Sequence, residues 1–345
     1  MEKGEYPFVS KLRQAGFDVI LLGFADRTAS VLDNAEVAIQ CITRTIRERE
    51  GGAPLTVGGF SMGGLVTRYA LAKLERQGMS HETATYLSYD TPHHGAWLPL
   101  GVQAFAHYVK EKWGGEGKPL YNFYSDLINS PAARQMLRWH LETPADITLD
   151  VAAGQDRART DFLSALDQVG DWPERPRLIG VANGTGTGAG NDIPADIPAM
   201  ETPGPKVAAQ LRTQGQGKKT VAQMRELGQA EVSIHTTNFP ELDGAPGGLF
   251  PELAAAGGAS NFGAAAALAL LLNGAMPDLA HNASTFVPTI SAVAAAGIDS
   301  HEALYSKIES DYSALHDFRC ATANEGHTTM TRELGEWIVT KLKDA

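Results

Sequence analysis

The sequence predicts an α/β fold: a mostly parallel sheet covered by helices, broken by large helical cap insertions. Three observations carry this. Short apolar runs alternate with segments of helical period through the first 90 residues. Residues 59–64, Gly-Phe-Ser-Met-Gly-Gly, form a tight turn between one such run and the helix after it. The last residues, 331–342, close the chain with another amphipathic helix.

The elements follow in order. Residues 8–14 read as a short helix stopped by Gly16, and 17–23 (Phe-Asp-Val-Ile-Leu-Leu-Gly) as a buried strand. Residues 33–49 read as an amphipathic helix with Val37, Ile39, Ile42 and Ile46 inward. Leu55, Thr56 and Val57 lead into the glycine turn. Leu65, Val66, Tyr69, Ala70, Leu71 and Leu74 then recur at helical spacing. Residues 83–89 are the next strand, and alternating strands and helices imply a parallel sheet. This first part of the core spans residues 1–99. Residues 100–173 read as a helical insertion, and 174–184 return as a core strand. Residues 185–285 are rich in Gly, Pro and Ala, with one strand near 231–236, and read as a cap or second insertion. Residues 286–345 form the C-terminal core, with 286–290 re-entering it and 331–342 as its last helix, one face carrying Leu334, Trp337, Ile338 and Leu342.

Composition bounds the function. At 345 residues the chain can bury a large core. A net charge of −11 argues against a nucleic-acid partner and against charge-driven docking on anionic lipid. Cys41 and Cys320 offer neither a disulfide framework nor metal spacing and read as buried free thiols. No run reaches the ~18 apolar residues that span a bilayer, and 263–272 reads as a buried helix. The first six residues show no apolar leader, which favours the cytoplasm. Oligomeric state leaves no mark in the sequence.

Ser61 carries the chemistry. A serine hydroxyl is a poor nucleophile and needs to be held exposed on a strained turn beside a base. Glycines two positions either side let strand and helix approach closely enough for that turn. The helix N-terminus behind Ser61 aims backbone N–H groups at a developing oxyanion, and Met62 N–H is the donor that the motif names. The partner base is expected late in the chain, on a loop before the last helix. His327, after Gly326, has that position. His301 and His316 sit in charged surroundings and read as surface residues.

Thr91-Pro92-His93-His94-Gly95 resembles the Thr-Pro-His-x-Gly signature of bacterial lipases. With residues 59–64 and His327, the chain resembles lipase-like esterases of the α/β-hydrolase fold, over about residues 15–100 and the last 60. The resemblance implies ester hydrolysis through an acyl-enzyme, with a small-molecule or lipid-like ester as substrate and no cofactor. The Gly-Thr repeats at 183–188 and the turn at 243–248 are similar to a branch of lipase-like proteins. Family members normally begin with strands bearing a His-Gly or Gly-Phe oxyanion loop. This chain begins at the helix after it, so the N-terminal strands are expected to be missing and Gly23–Phe24 is a second oxyanion candidate.

Many lipases carry their acid just before a Val-x-x-x-Ser segment like 287–291, where this chain has Ala283, Ser284 and Thr285. The acid therefore comes from another loop. Asp90 ends the strand beside the nucleophile strand, where some lipases place theirs. Asp243, in a Gly/Pro-rich turn, could fold over the site, and Asp192 and Asp299 remain behind these two. A turn-capping role for Asp90 and an Asx-turn for Asp243 are the plain alternatives.

Other features read as structural. His93 and His94, adjacent on a loop, rarely reach one metal ion together. Gly184 to Gly190 lacks the Lys-Ser/Thr of a phosphate loop and reads as a flexible loop. Asn183 and Asn282 match glycosylation sequons by accident. Residues 264–272 and 113–124 suggest either an apolar acyl pocket or plain core. The rivals to ester hydrolysis are acyl transfer or thioester cleavage by the same machinery, and a catalytically inactive binding module.

Overall fold

The computed structural model describes residues 5–141, 150–152, 157–251 and 260–344. Its elements begin with α1 (Phe8–Gln14), α2 (Val31–Glu48), β1 (Leu55–Phe60), α3 (Met62–Arg76) and β2 (Thr83–Tyr89). Then come α4 (Leu100–Trp113), α5 (Pro119–Ile128), α6 (Pro131–Met136), β3 (Asp150–Ala152), α7 (Arg157–Gln168) and β4 (Arg177–Thr185). Five strands follow: β5 (Pro198–Thr202), β6 (Val207–Arg212), β7 (Lys218–Glu226), β8 (Val232–Thr237) and β9 (Gly247–Leu249). After α8 (Asn261–Asn273), β10 (Asp278–Leu279) and β11 (Thr285–Pro288) come the single turns α9 (Thr289–Ala292) and α10 (His301–Leu304). β12 (Asp317–Ala321) and α11 (Arg332–Lys343) complete the set.

Strands β1, β2, β4 and β12 form one sheet in that order, every pairing parallel. Helices cover both faces, which is an α/β layer arrangement. Successive strand residues point to opposite sides. Tyr86 and Leu178 pack with Val31 of α2, Leu65 and Leu71 of α3, and Phe162 and Leu166 of α7. Leu87 and Ile179, one residue on, pack with Phe8 of α1 and Leu334 and Ile338 of α11. Thr331 caps α11 by accepting the Leu334 N–H at 3.3 Å.

A second sheet of six strands has the order β10-β5-β6-β7-β8-β3, antiparallel except for β3 against β8. Along β6, Val207, Ala209 and Leu211 are buried while Ala208, Gln210 and Arg212 are half-buried. The buried face receives α4 and α8, with Phe105, Val221, Met224, Ala265 and Leu268 in one apolar cluster. β9 and β11 pair antiparallel as a two-stranded ribbon, with β9 packed against β4.

Several expectations are corrected. Large helical insertions were expected, and within 185–285, read as a cap or second insertion, four strands, β5 to β8, make an antiparallel meander. Alanine, glutamine and threonine fill their alternating positions, so the hydrophobic contrast is weak. Residues 17–23 form no strand, and Ile20, Leu21 and Leu22 are 61%, 63% and 40% exposed. Among the described residues no strand pairs with the outer edge of β1, and this segment does not take that place. In α2 the buried face is Val31, Ala35, Ala38 and Ile42, whereas Val37 is exposed. Small residues face the core there because α2 lies close against α3. Residues 285–288 pair with β9 in the ribbon, with Val287 and Ile290 buried in the core as read from the sequence. Helix α7 falls inside the stretch read as an insertion, yet its Phe162 and Leu166 pack with the core helices. The expected insertion spans 100–173 and 185–285 include 142–149, 153–156 and 252–259, which lie outside the described residues, as do residues 1–4.

Candidate active site

Ser61 stands between β1 and α3 with φ 52° and ψ −123°, a sparsely populated backbone conformation for a residue with a side chain. Its N–H is held by Tyr89 O at 2.9 Å. A Cβ on Gly59 would collide with the Gly63 backbone, so the strand-to-helix turn closes only with glycine there. Met62 is the first residue of α3, so its N–H lacks an intrahelical acceptor. Phe24 and Met62 pack against the same apolar cluster.

His327 lies on the loop between β12 and α11 and is 8% exposed. Its Nε2 is 2.7 Å from Ser61 Oγ and its Nδ1 is 2.7 Å from Asp90 Oδ2. Asp90 directly follows β2, has φ 45° and is fully buried. Its other oxygen, Oδ1, accepts the Asn183 N–H at 3.0 Å. A buried carboxylate needs such partners, and here a ring nitrogen and a backbone donor supply them. Phe286 meets the His327 ring edge-to-face at 5.0 Å.

The histidine loop is pinned from three sides. Leu249 N–H donates to Glu325 O at 2.9 Å, and His327 N–H donates to Leu249 O at 2.8 Å. Glu325 N–H donates to Asn183 O at 2.8 Å. Thr329 O accepts from the Tyr89 hydroxyl at 2.6 Å and from Asn183 Nδ2 at 2.8 Å. Gly248 sits against Asp90 and His327: a Cβ there would press on the Asp90 carboxylate and lie 3.3 Å from His327 Cα.

The other aspartates are elsewhere. Asp243 is buried, and its oxygens accept Trp97 Nε1–H at 2.8 Å and Gln214 N–H at 2.7 Å. Burial raises its pKa above the usual carboxylate range. It ties the inserted sheet to the loop after β2, and it does not bond His327. Asp299 pairs with Arg138 at the surface, and Asp192 is exposed.

His93 is committed to the core. Its ring nitrogens meet Ser88 Oγ at 2.8 Å and an Arg68 guanidinium nitrogen at 3.3 Å. Burial first, then the Arg68 charge, holds its pKa well below the ordinary histidine value. Arg68 stacks 3.7 Å over Trp172 and binds the Asp171 carbonyl at 2.8 Å. Among the described residues no group of His, Cys, Asp and Glu could hold a metal ion. Cys41 and Cys320 are free, and burial pushes the Cys320 thiol up to about 12. No described helix is long and apolar enough to cross a membrane.

Two residues that hold the site escaped sequence reasoning. Asn183 was read as an accidental sequon at the edge of a flexible loop, but it is fully buried inside β4 and bridges the acid to the histidine loop. Gly248 was noticed only as part of a Gly/Pro-rich turn. The glycine pair 247–248 was the available signal, since paired glycines often mark a close backbone approach.

No protein-family model matches the chain, and no curated protein matches it. The crystal structure of the Bacillus licheniformis lipase BlEst2 in its mature form is similar over 45% of this chain and 48% of that chain, at 16% identity and a TM-score of 0.24. Its propeptide form is similar over 45% of this chain and 26% of that one, at 15% identity and a TM-score of 0.24. The chain thus spans about half the length of the mature lipase.

Proposed function

We propose that this protein is a serine hydrolase that cleaves a carboxylic ester through an acyl-enzyme. The observation that carries the reading is the unbroken line Ser61–His327–Asp90, joined by two hydrogen bonds of 2.7 Å. In acylation, Ser61 Oγ bonds to the ester carbonyl carbon while His327 Nε2 takes the hydroxyl proton. Asp90 fixes the imidazole tautomer through Nδ1–H and stabilises the imidazolium that forms. The Met62 N–H, at the positive end of α3, donates to the oxyanion. The carbon–alkoxy bond then breaks, and the imidazolium returns the proton to the leaving alcohol. Water repeats the cycle: His327 takes its proton, its oxygen bonds to the acyl carbon, and Ser61 leaves with the proton restored.

The strain at Ser61 supports the same reading, because unusual backbone geometry persists where the surrounding structure imposes it, and such positions cluster at active sites. The test is labelling with a fluorophosphonate probe, which reacts with an activated serine. Wild-type protein labels at Ser61, and Ser61→Ala and His327→Ala proteins do not. A folded wild-type protein that stays unlabelled would overturn the assignment.

A further inference from the structure

Tyr89 adjoins each segment of the line Ser61–His327–Asp90. It is fully buried at the end of β2, in register with Phe60 of β1 and Val181 of β4. Its carbonyl accepts the Ser61 N–H at 2.9 Å. Its ring stacks on Phe60, the residue before Ser61, with 4.4 Å between centroids. Asp90 is the next residue along the chain. The Tyr89 hydroxyl donates to Thr329 O at 2.6 Å, two residues beyond His327. Burial, then the Asp90 charge, raises the hydroxyl's pKa above the ordinary tyrosine value, so it remains a donor through neutral pH.

The hydroxyl acts on a strained turn. Gly326 O accepts the Thr329 N–H at 2.9 Å, so His327 and Thr328 are the two central residues of a turn. Thr328 has φ 62°, in the left-handed region. A positive φ at the second central position favours Gly or Asn, and a β-branched residue takes it only under constraint. Before Thr328, main-chain bonds between Leu249 and both Glu325 and His327 fix the loop. After it, Thr329 O is held by the Tyr89 hydroxyl and by Asn183 Nδ2 at 2.8 Å. Asn183 also donates its N–H to Asp90 Oδ1 at 3.0 Å and accepts the Glu325 N–H at 2.8 Å. Ser61 at φ 52° and Asp90 at φ 45° share the same sign of strain. Each segment of the line thus carries one such residue, and Tyr89 adjoins all three.

We infer that Tyr89 is a positioning residue: with Asn183 it holds Thr328 in its left-handed turn, and through that turn it keeps His327 Nε2 within reach of Ser61 Oγ. This rests on the serine-hydrolase reading. The tyrosine touches no reacting atom. Its effect passes through the loop, because release at Thr329 O lets Thr328 return to negative φ and carries the His327 main chain with it. The 2.7 Å contact between His327 and Ser61 tolerates a shift of only about 0.5 Å before it leaves hydrogen-bond range. Loss of the hydroxyl therefore lowers turnover and leaves substrate binding almost as it was.

The experiment removes the hydroxyl and then removes the strain. Tyr89→Phe keeps the ring and the main-chain bonds, and kcat for p-nitrophenyl butyrate falls about tenfold with KM within about twofold. Thr328→Asn, added to it, supplies a residue that takes the left-handed conformation readily and raises kcat again by roughly threefold or more. A Tyr89→Phe protein that melts lower but keeps its kcat overturns the proposal, as does a lowered kcat that Thr328→Asn leaves unmoved. Should Tyr89→Phe fail to fold, Asn183→Ala removes the other donor and keeps both main-chain bonds of that residue. The same fall and the same rescue are expected, and their absence overturns the proposal. A readout independent of turnover is the downfield proton resonance of His327 Nδ1–H, assigned by its loss in His327→Ala. It broadens in Tyr89→Phe and sharpens again with Thr328→Asn; an unaltered resonance overturns the positioning role. Fluorophosphonate labelling separates the two readings. A labelled wild-type protein whose variants keep both kcat and resonance sinks the positioning role alone, whereas an unlabelled wild-type protein whose resonance follows the variants sinks the hydrolase reading alone.

Discussion

Gly248→Ala tests how tightly the acid and base are held. The backbone at 248 is outside the left-handed region, so alanine is conformationally acceptable and the effect is steric. The new Cβ would press on Asp90 Oδ2 and lie 3.1 Å from Asp90 Cγ and 3.3 Å from His327 Cα. Carbon atoms rest at about 3.5–4.0 Å. The strand cannot retreat freely, because Leu249 is bonded to Glu325 and His327 on one side and β9 is paired with β11 on the other. The carboxylate must then move by roughly 0.5–1 Å. That carries the 2.7 Å bond to His327 Nδ1 past the ~3.2 Å limit of a good hydrogen bond. Full loss of an orienting aspartate costs about 10⁴ in turnover, so partial displacement predicts a fall in kcat of roughly 10²–10³, with KM changing far less. The assay is p-nitrophenyl butyrate turnover, alongside the rate of fluorophosphonate labelling and a thermal melt. A folded Gly248→Ala protein within threefold of wild-type kcat would refute the reasoning.

Ser61→Ala and His327→Ala should each lower ester turnover on the order of 10³-fold or more, with the double variant little worse than either; additive losses would argue against a shared step. Asp90→Asn should cost on the order of 10²-fold or more in kcat, whereas Asp243→Asn should stay active but lose roughly 1–3 kcal/mol of stability, because an amide N–H would face the Trp97 or Gln214 donor. The reverse pattern would move the acid to the insertion. His93 has a depressed folded pKa, so below the ordinary histidine value of about 6.5 the unfolded chain binds a proton that the fold refuses. Its stability contribution is therefore present above that pH and lost as the pH falls, at up to about 1.4 kcal/mol per unit. Urea midpoints measured at pH 7 and 5.5 should show this slope, and His93→Asn should flatten it; an unchanged slope would place the acid sensitivity elsewhere.

The turn at Ser61 was legible because its information is local. A strand, two spaced glycines and a helix within some twenty residues specify one geometry. The strand at 83–89 and the helix ending in Leu342 were legible for the same reason. β12 was not, since Asp317, Phe318 and Arg319 show no alternation and the strand lies at the sheet edge. Residues 17–23 misled in the opposite sense: their apolar content is that of a buried strand, but burial depends on a neighbour that sequence pattern cannot supply. For the acid, the sequence put Asp90 first, Asp243 second, and Asp192 and Asp299 behind them. What distinguishes them is the partner each meets across the chain, an imidazole for one and an indole for the other. Of the meander at 198–237 only the strand near 231–236 was legible; the other three were hidden by alanine and glutamine, whose pattern fits either period.

The separation of the site's parts along the chain has a kinetic consequence. His327 bonds a serine 266 positions earlier and an aspartate 237 positions earlier. It also leans on Leu249 and, through Thr329, on Asn183. Contacts of such long sequence separation carry the largest loop-closure cost and form late in folding. The α2–α3 layer and the inserted meander rest mainly on nearer contacts, and each has partners of its own to assemble with. A refolding chain should therefore regain most of its helix signal before its serine becomes reactive. On the proposed mechanism, a nascent chain on the ribosome stays unreactive at Ser61 until residue 327 has emerged.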